Sequence, residues 1–96
     1  MEMKTATLVR QMPVSNPSEH IVGVYKMSPP HEGNEYVYCS SSNRNMAYFS
    51  VKETYLFASD GEEVTDWTEL QGSQRDVLSH KEVFQDIGYT TINPLC

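Results

Sequence analysis

One division limits this chain more than anything else in its sequence: a single helix near the C-terminal end, with strand-forming segments before it. Ser79 followed three residues later by Glu82 is a capping box, and Leu78 with Val83 supplies the matching hydrophobic staple. Val83, Phe84 and Ile87 fall on one face, and Gly88 stands where a left-handed residue ends a helix. The spacing predicts a short helix over 80–87.

The strand segments are rich in β-branched and aromatic residues and are separated by turn formers. A short strand is expected over 6–9, followed by breaks at Pro13 and at Asn16-Pro17-Ser18. A second is expected over 20–27. Pro29-Pro30-His31-Glu32-Gly33-Asn34 then reads as a loop, because proline cannot donate to a ladder and glycine permits positive φ. The next strand is expected over 35–40, with Tyr36 and Tyr38 on one face and Val37 and Cys39 on the other. Ser41-Ser42-Asn43-Arg44-Asn45 reads as a polar hairpin loop. Residues 46–58 are either two strands or one long strand with a bulge near Lys52-Glu53. Asp60-Gly61 marks a turn, 63–67 a short strand, and 89–92 a last strand stopped by Asn93-Pro94.

With 96 residues there is room for one core, so residues 1–96 are expected to form one domain. Strands followed by one amphipathic helix predict an α+β fold: a mostly antiparallel sheet of four to five strands, with the helix packed on one face.

Charge narrows the partners. Thirteen Asp and Glu against seven Lys and Arg leave a net charge of −6, and the bases are scattered. Without a basic stripe, direct nucleic-acid binding and attraction to anionic membranes are not expected. A basic protein surface suits such a chain better. Two cysteines, Cys39 and Cys96, are too few for a disulfide framework, and residues 1–20 hold no apolar core of a signal peptide. The expectation is a cytoplasmic protein with free thiols, Cys39 shielded and Cys96 exposed.

Catalytic patterns are missing from the sequence. His20, His31 and His80 have no metal-ligand spacing, and a site on His31, Glu32 and Glu35 would lack the convergent nitrogen or sulfur ligands that zinc needs. The serine run 40–42 has no nucleophile-elbow glycines, and Gly61 and Gly72 are isolated rather than part of a phosphate loop. Neither an enzyme nor a cofactor is expected.

Two surfaces remain. Asp60, Glu62, Glu63, Asp66 and Glu69 crowd into ten residues with no base among them and Trp67 in their midst. The commoner outcome for such a run is a solvated turn with Trp67 largely buried as a core anchor. The alternative is a docking surface for an Arg/Lys-rich partner, with Trp67 as anchor. Separately, Tyr36 and Tyr38 with Arg44 or Arg75 would suit a nucleotide, base on rings and phosphate on guanidinium, with self-association left open.

The segment 53–89 is similar to a recurring pattern. It runs Glu53-Thr54-Tyr55-Leu56-Phe57-Ala58, Asp60-Gly61, Val64-Thr65-Asp66-Trp67, Glu69-Leu70, Gly72-Ser73, then His80 and Gly88-Tyr89. It resembles small uncharacterised phage and prophage accessory proteins over the C-terminal two fifths of the chain. No activity or catalytic residue comes with that resemblance. What it implies is a viral accessory protein that binds and inhibits a host protein or a bacterial-defence component.

Overall fold

The computed structural model describes residues 4–14, 20–45, 50–75 and 79–94. Four long strands run as an antiparallel meander: β1 (Thr5–Met12), β2 (His20–His31), β3 (Asn34–Asn45) and β4 (Ser50–Ser59). Then come two short strands, β5 (Val64–Asp66) and β6 (Gln74–Arg75), the helix α1 (His80–Asp86) and a last strand, β7 (Thr90–Ile92). Six strands follow one path, β5-β4-β3-β2-β1-β7, and the two-residue β6 adds a seventh beside β4. The α+β class is as expected. The count is not, and the sheet is mixed, because β7 pairs parallel to β1.

Period-2 alternation divides the sheet into two faces. Ala6, Tyr25, Met27, Val37, Cys39 and Leu56 point to the helix side and close around Val83, Phe84 and Tyr89. Phe84 meets Tyr25 with ring centroids 4.7 Å apart. A buried hydroxyl pair, Ser41 Oγ and Thr54 Oγ1 at 2.9 Å, shares this face and satisfies itself. The helix begins as its sequence indicates: Ser79 is the N-cap, and its Oγ accepts the Glu82 amide at 3.3 Å. Leu78, the other half of the expected staple, lies outside the described residues.

Three local expectations are corrected. Residues 41–45 are not a hairpin loop: β3 continues through Asn45, paired residue for residue with β4 from Asn45↔Ser50 upward. That register passes Lys52 and Glu53 without a shift, so no bulge lies there, and the turn itself falls in 46–49, outside the described residues. Pro29 and Pro30 sit inside β2 rather than in a loop, where the β2–β3 register slips between Lys26 and His31 and needs no proline amide. The reversal is confined to Glu32-Gly33, both at positive φ.

The outer edge of β4 is closed by the segment that follows it. Ser59 and Ala58 pair with β5, and Thr54 and Glu53 with β6. Between them, Leu56 O accepts the Leu70 amide at 2.8 Å, and Leu56 N donates to Ser73 Oγ at 2.9 Å. Residues 64–75 therefore form a strap that leaves β4 no long template edge, and it carries Trp67.

Candidate functional site

The sheet face opposite α1 is lined by Tyr36 and Tyr38 of β3 and by Tyr55 and Phe57 of β4, all half-buried. Among the described residues no helix or strand lies over it. Val22 and Val24 of β2 form a buried apolar floor beside these rings. Burial pushes the Tyr38 phenol up from its ordinary value, so it stays a neutral hydroxyl.

Trp67 belongs to this face, and its expected burial is corrected: the side chain is 71% exposed. It stands just past β5, a strand too short to tuck the indole under the sheet. Instead the ring is braced from the side, 6.3 Å from Tyr38 and 5.2 Å from Phe57 at interplanar angles of 67° and 61°. Phe57 in turn stacks on Tyr55 at 6.3 Å. Phe57 is not among the candidates from the sequence, although its alternation with Leu56 carries the signal.

The acidic run divides into two groups. Asp60 Oδ1 accepts the amides of Glu62 and Glu63, both at 2.9 Å, and these bonds hold its carboxyl below the usual range. Asp66 Oδ1 accepts the Thr68 amide at 2.9 Å, with the same effect. Ser59 Oγ adds a donor to Glu63 O and an acceptor for Gly61 N. Asp60 and Asp66 thus build the turns that present the segment. Glu62, Glu63 and Glu69 remain as exposed carboxylates, Glu62 in loose contact with Arg10 at 4.0 Å. A shallow depression of about 610 Å³ lies among Val9, Arg10, Tyr36, Asp60, Gly61 and Glu62. Gly61 passes directly over the Tyr36 ring, 3.6 Å from where a Cβ would stand.

The nucleotide-clamp residues are not gathered in this way. Tyr36 and Tyr38 join the face just described, whereas the backbone puts Arg44 opposite Val51 and Arg75 opposite Glu53. Six residue steps of extended strand separate Tyr38 from Arg44, about 20 Å at strand rise. The side chains of both arginines lie outside the described residues. His31 and Glu32 are spent on a staple: His31 Nε2 meets Gln71 O at 2.7 Å, and Glu32 Oε2 accepts the Gln71 amide at 2.9 Å. Cys39 is fully buried and makes no disulfide among the described residues, and Cys96 falls outside them. No family model, curated protein or solved structure matches this chain.

Proposed function

We propose that this chain is a non-enzymatic accessory protein of phage type, which binds and inhibits a host or bacterial-defence protein in the cytoplasm through the surface around Trp67. One observation carries the reading: Trp67 is 71% exposed, braced by two rings, and set in the acidic run 60–69, which holds no Lys or Arg. A solvated turn needs no tryptophan. Tryptophan is the residue that most often anchors a protein interface, and a carboxylate rim selects a basic partner and speeds its encounter.

Replacing Glu62, Glu63 and Glu69 together by Gln tests this. The denaturation midpoint should stay nearly unchanged, because exposed charges contribute little to folding. Partner capture from host lysate and inhibition in an infection assay should both fall. A folded triple variant that inhibits at full strength overturns the reading. The second reading, sequestration of a nucleotide signal, draws on Tyr36 and Tyr38 sharing one exposed face; nucleotides extracted from the purified protein would favour it.

A further inference from the structure

We infer that the aromatic surface around Trp67 receives an arginine-bearing segment of its partner, with a guanidinium seated on the Trp67 indole. This rests on the reading of a basic partner and names the side chain that anchors it. Tyr38 and Phe57 meet Trp67 at steep angles, so they hold the indole in place without covering it. Most of the ring surface is left to a ligand. The tyrosines and Phe57 extend the platform along β3 and β4, where the apolar stem of an arginine or a neighbouring residue finds surface to bury.

Charge identifies the occupant. Glu69 follows Trp67 by two residues, Asp66 precedes it with its carboxylate turned to the Thr68 amide, and no Lys or Arg occurs from residue 53 to residue 74. The chain supplies its own cation to a different ring: Lys4 Nζ lies 5.5 Å over the Tyr89 centroid. Among the described side chains of the strap, none does the same for Trp67. A planar guanidinium stacks on an indole while its N–H fork pairs with a carboxylate at the ring's edge. An ammonium keeps its hydration shell and cannot do both in one geometry. Single-stranded nucleic acid also stacks on aromatic sheet faces, but it would bring phosphates against Asp66, Glu69, Glu62 and Glu63.

The test uses the full chain and three labelled probes followed by anisotropy: a hexa-arginine peptide, a hexa-lysine peptide and a short oligothymidylate. The arginine peptide should bind about tenfold tighter than the lysine peptide, a ratio a desolvated cation–ring contact can supply. Trp67→Ala, a change at an exposed side chain, should abolish that preference and leave the weaker, salt-sensitive binding common to both peptides. Equal affinity for the two peptides, or a preference that survives Trp67→Ala, overturns the arginine anchor while the basic-partner reading stands. Binding of the oligothymidylate but of neither peptide overturns both.

Discussion

His80 opens the helix, yet its side chain is fully buried. Its Nδ1 lies 2.9 Å from the Tyr25 hydroxyl, and among the described residues Nε2 has no partner within hydrogen-bond geometry. Burial pushes the imidazole down to about 4, against a smaller upward pull from the Ile21 backbone. The folded state therefore refuses a proton that the unfolded chain accepts near 6.5. Its contribution to stability is whole above that value and is lost as pH falls toward 4, about 3 kcal/mol in all. Denaturant midpoints measured across this window should drop for the native sequence and fall less steeply for His80→Gln. A His80 resonance titrating near its ordinary value in the folded protein would contradict this account. Gly72 makes a different demand. At φ +110° it lies where a Cβ would come within 2.8 Å of Ile87 Cγ2 and 3.0 Å of Leu56 Cδ1. Gly72→Ala should cost about 2 kcal/mol, combining backbone strain with overpacking. Gly33, also at positive φ but with open space around it, should tolerate Asn with little change in midpoint.

Among the elements, α1 is the one whose limits are written in its own residues. Its cap is a local bond, and Ser79→Ala should lower stability by about 1 kcal/mol in chemical denaturation. Strands depend on partners, and there the sequence was less legible. Ser41 to Asn45 have little strand propensity of their own, but the β4 ladder and the Ser41–Thr54 hydroxyl bond hold them extended. β6 is two residues long and exists because the outer edge of β4 needs partners at Glu53 and Thr54. Such an element has no periodicity to detect. Local pattern marks β7 as a strand, but it does not encode the parallel pairing with β1. Trp67 was misplaced for a related reason. Its position follows from where the strap crosses the sheet edge, while its identity alone suggests a core residue.

Among the described residues, one sheet face is sealed by the helix and the other carries half-buried aromatic rings beside the exposed Trp67. The intrinsic fluorescence of Trp67 reports on that asymmetry, since the chain has one tryptophan. Acrylamide should quench it efficiently in the native protein, nearly as well as in denaturant. Strong protection would place the indole under cover and remove the docking surface. The cysteine offers the converse reading: Cys39, fully buried beneath α1, should react with a thiol reagent only as fast as the domain opens. The parallel join of β1 to β7 has a consequence for how the chain is made. Thr90 to Ile92 are synthesised 85 residues after their neighbours Thr5 to Thr7. Until β7 is made, the meander has an unfinished margin at β1, and the helix that seals the core has no strand to hand the chain back. Final assembly is thus a late event, and a nascent chain stalled before β7 presents the ribosome's surroundings with a bare strand.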